Sequence, residues 1–341
     1  MDLNTVWFIL IAILWTGYFA LDGFDLGAGI LLPFLGKDDT KRRIILNTIG
    51  PHWDGNEVWL ITAGGATFAA FPGWYATLFS GFYLPLFLIL VALILRGVAF
   101  EFRSKDENLL WRKLWDWCAF VGSLIPALLF GVAFANFVRG VPIDAQLQYA
   151  GGFWNLLNPF ALLGGLVSLT GFTLYGALFL TIKTSGTLMA AAQKIAWRLW
   201  LVVVVIFAAY TISSYFVLDV VNKLGINPGV PPIFAALALL SAGWFIRNKQ
   251  DGWAFAMAAL TIILSMTTIF IELYPNVLVS LGNPANSLTI YNVSSSQTTL
   301  RLMSIIAIIF VPIVLAYQAW AYRIFRKRIS DSPEDIKSLK Y

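Results

Sequence analysis

The sequence predicts an all-α integral membrane protein of about nine transmembrane helices, arranged as two four-helix bundles plus one extra helix. Three observations predict it. Hydrophobic residues make up 59% of the 341 residues and charged ones only 12%, about half the charged fraction of a soluble domain. Nine apolar segments reach or approach the roughly 20 residues that a bilayer crossing needs. Lysines and arginines collect in every second loop, the pattern that orients membrane proteins. The division into two groups of four rests on the count alone, with no internal repeat behind it.

The first segment, residues 5–35, opens the chain without a basic leader or a small-residue cleavage site, so it reads as a retained helix and not a signal peptide. Further spans follow at 54–73, 77–100, 115–138, 155–182, 197–219, 230–247, 251–274 and 299–325. Lys37, Lys41, Arg42 and Arg43 fill the first loop; Arg103, Lys105, Arg112 and Lys113 the third. Lys183, Lys194 and Arg198 mark the fifth, and Arg247 and Lys249 the seventh. Arg323, Arg326, Lys327 and Arg328 follow the last span. The 275–296 loop has no Lys or Arg. The N-terminus is therefore expected outside the cell membrane and the C-terminus in the cytoplasm. Residues 1–329 form one membrane domain, and 330–341 a polar, mobile cytoplasmic tail. Lys41 to Ile49 alternates basic and apolar residues and is expected to lie flat on the inner surface. Gly151-Gly152 and Asn158-Pro159 mark the start of the fifth span.

The acids of the first span do not fit a merely structural helix. Leu21-Asp22-Gly23-Phe24-Asp25-Leu26-Gly27-Ala28-Gly29 lies inside an otherwise apolar stretch. A carboxylate at bilayer centre costs roughly 2.5–3.5 kcal/mol, and acids kept there usually face a protein interior where they move protons or ions. Asp22 and Asp25 share a helix face, which Gly29 continues. Gly23 and Gly27 form a small-residue pair that admits a close neighbouring helix. Depth makes a permanent unpaired charge on Asp25 costly, so it is expected to be paired or to exchange its proton. Either acid alone also reads as a hydrogen-bonding packing residue.

Pro51-His52-Trp53-Asp54-Gly55-Asn56-Glu57 supplies the next polar group. Asp54 is placed to cap the second span, with Glu57 completing a capping box. Arg96 and Glu101 close the third span on the same side. Asp25, Asp54, Glu57 and Glu101 thus read as the lining of a path from the cytoplasm toward mid-membrane. Plainer readings stand beside this one. Asp54 is a simple cap, Arg96 a snorkelling anchor or the counter-ion of an acid, and Glu101 half of an exposed pair with Lys105. His52 is the single histidine. It reads either as an interfacial residue at a helix start or as a proton donor near neutral pH.

Several classes are excluded. One histidine and five methionines cannot build a bis-histidine haem or a histidine-rich metal site from this chain alone. The single cysteine, Cys118, forms no internal disulfide. The net charge of +5 sits in loops and does not indicate nucleic acid. The fourteen tryptophans read as interface-belt and packing residues. No glycine-rich phosphate loop or nucleophile–histidine arrangement is present.

With these residues in view, the chain resembles subunit II of cytochrome bd-type quinol oxidases. The resemblance is carried by Asp22-Gly23-Phe24-Asp25-Leu26-Gly27, by Pro51 to Ala66, by Phe79-Ser80-Gly81-Phe82-Tyr83 and by Trp115-Asp116-Trp117. Leu157-Asn158-Pro159-Phe160, Ser295 to Leu300 and Val311-Pro312-Ile313 extend it over nearly the whole chain. Glu57 and Glu101 stand where family members also carry Gln and Asp. The resemblance implies a bacterial cell-membrane complex that oxidises quinol and reduces dioxygen to water. It places haem b and haem d in a partner subunit I, with no cofactor or metal ligated by this chain. It also allows membrane lipid and a small single-span accessory subunit as partners. The candidate proton-pathway residues are then Asp25, Asp54, Glu101, Asp22, Glu57 and His52. Two other readings fit the residues alone: a stand-alone proton-coupled transporter, and a quinone- or lipid-binding structural subunit without a proton role.

The orientation is testable by cysteine labelling after Cys118→Ser. An impermeant thiol reagent added to intact cells is expected to label Asn283→Cys and to miss Ser330→Cys; the reverse pattern contradicts the orientation.

Overall fold

Long apolar helices dominate the computed structural model, which describes residues 2–218, 229–330, 332, 335, 339 and 340. The first helix, α1 (Leu3–Leu35), is 33 residues long, about 50 Å at 1.5 Å per residue. The Asp2 side chain caps it by accepting from Thr5 N at 2.7 Å. The short helix α2 (Asp39–Ile49) is capped by Asp38 and buries Ile44, Ile45, Leu46 and Ile49. Its apolar face packs on α1 and on α8 (Pro159–Lys183). Next come α3 (Trp53–Ala70), α4 (Pro72–Gly81), α5 (Tyr83–Phe102) and α6 (Leu109–Arg139). A single turn, α7 (Phe153–Leu156), leads into α8; then follow α9 (Gly186–Val217), α10 (Val230–Arg247), α11 (Asp251–Leu273) and α12 (Gln297–Ile324).

Among the described residues, eight helices are long and apolar enough to cross a membrane. The segment expected as the second span, α3, is outside this set. It has 18 residues, and its first five positions include Asp54, Asn56 and Glu57. The expected third span is divided: Pro72 starts α4, and α5 begins only at Tyr83. Lys194 and Arg198, read as loop residues, lie within α9, which starts at Gly186.

Helices α1, α3, α5 and α6 pack as one set, and α8 to α11 as another; α1 and α6 both meet α8 where the sets join. The last helix, α12, lies outside both against α1 and α3. At the end poor in basic residues, β1 (Asn276–Leu278) and β2 (Leu288–Thr289) form a two-stranded antiparallel pair. This segment is joined to the end of α6 through Val141 N to Val279 O at 2.9 Å.

The α1–α8 crossing depends on glycine. A Cβ on Gly27 would lie 1.8 Å from Phe172 O, and one on Gly176 would lie 2.2 Å from the Gly27 carbonyl carbon. Bare backbone meets bare backbone there, the close approach that small residues permit in membranes. That contact brings the acidic turn of α1 into the protein interior. One side of the turn packs as an aromatic cluster of Trp15, Tyr18, Phe19, Phe130 and Phe134, with ring centroids 5.3–6.4 Å apart.

The C-terminal segment differs from the free tail the sequence suggests. Ile329 N donates to Lys183 O at 2.8 Å. Lys340 N donates to Asn47 Oδ1 at 2.9 Å, and Arg43 reaches Leu339 O at 3.1 Å. The Lys183 ammonium caps the carbonyls of Phe325 and Lys327 at the end of α12. An open carbonyl at the end of α8 holds Ile329, and side chains of α2 hold Leu339 and Lys340.

Gly176→Ala is expected to cost about 3 kcal/mol or more by overpacking, read as a lower melting temperature and less assembled protein. Gly171→Ala on the same helix, with nothing within 4 Å of its Cβ position, is expected to change stability by less than about 0.5 kcal/mol. Equal behaviour of the two variants contradicts the crossing.

Candidate functional site

The acidic turn of α1 is fully buried: Asp22 and Asp25 are both 0% exposed. Their surroundings differ. Asp22 faces α5, where the equally buried Arg96 donates from Nη2 to Oδ1 at 3.0 Å and from Nη1 to Oδ2 at 3.2 Å. Nη1 also donates to Glu57 Oε1 of α3 at 2.8 Å. The guanidinium carbon lies 5.5 Å from the Phe100 ring centroid. One planar fork therefore bridges two carboxylates and joins α1, α3 and α5, which suits arginine and not lysine. Removing solvent from three charges is costly, but removing one partner costs more, because it leaves an uncompensated charge in the interior.

Asp25, one turn further along α1, faces α3. Its Oδ2 accepts from Asn56 Nδ2 at 2.7 Å. Its Oδ1 is buried without a hydrogen-bond partner among the described residues, as are Tyr18 Oη and Arg96 Nε. No salt bridge to Asp25 is found among the described residues. A carboxyl group held by an amide and not by a cation can change its protonation without breaking an ion pair.

Around Asn56 the network continues to α12. Tyr322 Oη donates to Asn56 Oδ1 at 2.8 Å, and Gln318 Nε2 donates to it at 3.2 Å. Trp59 Nε1 donates to Gln318 Oε1 at 2.8 Å. The Tyr322 ring stacks on His52, with centroids 4.4 Å apart and planes 13° from parallel. Phe325 meets the same imidazole edge-on at 6.0 Å.

Of the six residues singled out in the sequence, the structure brings four together. Asp22 and Glu57 share Arg96, while Asp25 and His52 are linked through Asn56 and Tyr322. Asp54 is exposed in the first turn of α3. It is not the cap, and there is no capping box: the N-cap position is His52, with no side-chain cap bond. The Glu57 carboxylate that would complete a box is drawn instead to Arg96. Glu101 stands apart at the exposed end of α5, its side chain 45% accessible and 4.0 Å from Lys340 Nζ in the tail. His52 is 5% exposed. Burial first, and the Lys183 charge second, push its pKa down to about 4, so the ring is neutral at pH 7. A neutral ring accepts a proton more readily than it gives one. One ring face lies against Tyr322 and an edge against Phe325.

Sequence reasoning passed over Asn56, Gln318 and Tyr322. The signal for the last two is faint: polar groups four apart in an apolar helix, hence on one face. A second ion cluster was also missed. Asp116 accepts from Arg103 Nε at 2.5 Å and Arg42 Nη1 at 2.8 Å. Asp39 accepts from Arg103 at 2.8 Å and Arg112 at 3.1 Å. Arg103 and Asp116 are 1% and 5% exposed, so this cluster clamps α2, α5 and α6 together at the basic end.

Comparison with known proteins agrees in sequence and in fold. The family model for cytochrome bd terminal oxidase subunit II matches residues 3–325. Cytochrome bd ubiquinol oxidase subunit 2 of Bacillus subtilis (strain 168) is 44% identical over 330 residues, covering 96% of this chain and 97% of that one. Cytochrome bd-I ubiquinol oxidase subunit 2 of Escherichia coli (strain K12) is 40% identical over 372 residues, covering 98% and 97% respectively. A chain in the structure of bd oxidase from Geobacillus thermodenitrificans superposes with a TM-score of 0.76 at 19% identity, over 95% of this chain and 99% of that one. At that identity the match speaks for the fold.

Arg96→Gln is expected to destabilise the protein by about 3–5 kcal/mol, the cost of breaking a buried ion pair from one side. Asp22→Asn combined with Arg96→Gln should recover part of the loss; wild-type melting of Arg96→Gln alone contradicts the clamp. For His52 the fold favours the neutral ring. Its contribution is fully present above pH 6.5, the ordinary histidine value, and is lost as pH falls through about 4. His52→Phe, which keeps the stack, is therefore expected to flatten this part of the acid-induced fall in melting temperature. An unchanged fall contradicts the assignment.

Proposed function

This chain belongs to the cytochrome bd terminal oxidase subunit II family, and from that premise we propose that its own chemical task is a proton route ending at Asp25. As a family member it is a subunit of a membrane oxidoreductase, a respiratory quinol oxidase. Reduction of dioxygen to water consumes protons as well as electrons, so a path for protons into the membrane interior is required. The redox centres, haem b and haem d, are assigned to the partner subunit I together with quinol oxidation. Supporting that division, this chain has a single histidine, too few for a bis-histidine haem. Supporting the presence of partners, α12 is only 6% buried over its apolar stretch. That face is offered to subunit I, with lipid and a small single-span subunit along the remaining apolar surface.

One observation carries the reading: Asp25 is fully buried, is held by an amide and not by a cation, and has one oxygen without a partner among the described residues. Asp22 cannot play this part, because Arg96 binds both of its oxygens. Asp22 and Glu57 instead hold Arg96 in place. That leaves the exposed Asp54 on the first turn of α3 to collect protons, with Asn56 two residues further along fixing Asp25 in place by its hydrogen bond. The basic end, taken as cytoplasmic from the placement of Lys and Arg, is the side from which these protons enter. Glu101, paired with the tail at the surface, is kept as an outer collecting group.

Asp25→Asn retains size and hydrogen bonding but cannot titrate. Co-expressed with the partner subunit, it is expected to assemble with normal haem content. Oxygen consumption should slow about a hundredfold or more, the lower end of the range for losing a proton-transferring group. Asp25→Glu should retain more activity than Asp25→Asn. Full assembly of Asp25→Asn with wild-type turnover would sink the route.

A further inference from the structure

The Asn56 amide is fully buried and uses its whole hydrogen-bonding capacity. Nδ2 donates to Asp25 Oδ2 at 2.7 Å and to Leu21 O at 2.9 Å. Oδ1 accepts from Tyr322 Oη at 2.8 Å and Gln318 Nε2 at 3.2 Å. An amide has two N–H donors and two acceptor lone pairs, so nothing is left over.

The direction of the chain is fixed at both ends. An indole N–H can only donate, so Trp59 obliges Gln318 Oε1 to accept at 2.8 Å. The Gln318 NH2 group must then face Asn56, whose Oδ1 must accept. At the other end, Leu21 O can only accept, so it calls for the NH2 side of the same amide. A flipped Asn56 would set its carbonyl against the Leu21 carbonyl and an Asp25 oxygen, and its NH2 against that of Gln318. Polar groups with no partner inside a protein cost about as much as the bonds they forgo. Polarity therefore runs one way, from Trp59 through Gln318 and Asn56 to Asp25, with Tyr322 adding a second donor at Asn56.

We propose that Gln318 and Tyr322 of α12 are positioning residues for Asp25, acting through Asn56: they commit Asp25 Oδ2 to accepting the amide and leave Oδ1 as the oxygen that gains and loses the proton. This deepens the proton-route reading and rests on it. In the step itself an O–H bond forms at Oδ1 as a protonated donor on the entry side releases its proton. The same bond breaks when the proton passes on; no electron moves, and the Asn56 amide does not turn. Because α12 packs only lightly on the rest of the chain, these two side chains are its polar attachment to the site. The outward helix and the buried acid are thereby coupled.

The test uses the assembled complex carrying Gln318→Leu with Tyr322→Phe, which keeps the stack on His52, and Tyr322→Phe alone in case the pair assembles poorly. Haem content and the KM for quinol are expected to stay at wild-type values. The kcat should fall about three- to tenfold, the loss of one or two net hydrogen bonds, and the solvent deuterium isotope effect on kcat should rise. In an Asp25→Asn background the same substitutions should add no further loss. Wild-type kcat and isotope effect in both variants, with Asp25→Asn slow, overturn the positioning role and leave the route intact. A loss that multiplies with that of Asp25→Asn also overturns it, because Tyr322 and Gln318 would then act elsewhere. Wild-type turnover of Asp25→Asn itself removes the route, and this inference with it.

Discussion

A guanidinium sealed inside a helical membrane protein sets the terms for everything near it. Arg96 is 0% exposed, and a bare charge at that depth is not tolerated without partners. Asp22 from α1 and Glu57 from α3 supply them. Satisfying one cation therefore fixes three helices against one another. It also sorts the acids of α1: the one on the α5 side becomes a permanent half of an ion pair, and the one on the α3 side is left without a cation. Two carboxylates one turn apart thus acquire different chemistry from which neighbour each faces. The bare-backbone contact of Gly27 with Gly176 is what allows that turn to sit inside the protein rather than against lipid.

The function follows from the same division. An acid locked to arginine gives rigidity, whereas an acid held by an amide gives a group whose protonation is free to change. Asn56 joins the two, standing next to Glu57 on α3 while gripping Asp25 on α1. The light packing of α12 leaves most of its surface for a partner, while its few polar residues reach inward to the same amide. On the proposed reading, the same chain contributes both a face for assembly and a path for protons.

Much of this was legible in the sequence, for physical reasons. Charged residues in an apolar span stand out because their cost is high, so Asp22, Asp25 and Arg96 drew notice at once. The small residues beside them announced a close crossing. Helix length and the spacing of basic loops gave the membrane class and the side on which acids and bases meet. What escaped notice was inexpensive in isolation. Gln318 and Tyr322 are ordinary residues near a helix end, and only the fold shows that both point at one amide. The capping reading of Asp54 and Glu57 failed because a local pattern competed with a buried cation some forty residues away, and the cation won. The tail looked free because composition does not record that side chains on α2, Arg43 and Asn47, reach Leu339 and Lys340. The short α3 falls below the other spans in apolar length because the polar cluster of Asp54, Asn56 and Glu57 occupies its start.

The central claim is that Asp25, and not Asp22, is the carboxyl group that exchanges a proton in the working enzyme. Reaction-induced infrared difference spectroscopy of the assembled complex addresses it most directly, since a protonated carboxyl group has a C=O band that a carboxylate lacks and that shifts in heavy water. The account predicts a carboxyl band that appears or vanishes with turnover, shifts on deuteration and is missing from Asp25→Asn. A spectrum in which that band persists in Asp25→Asn, or in which no buried carboxyl group changes protonation during turnover, would contradict it.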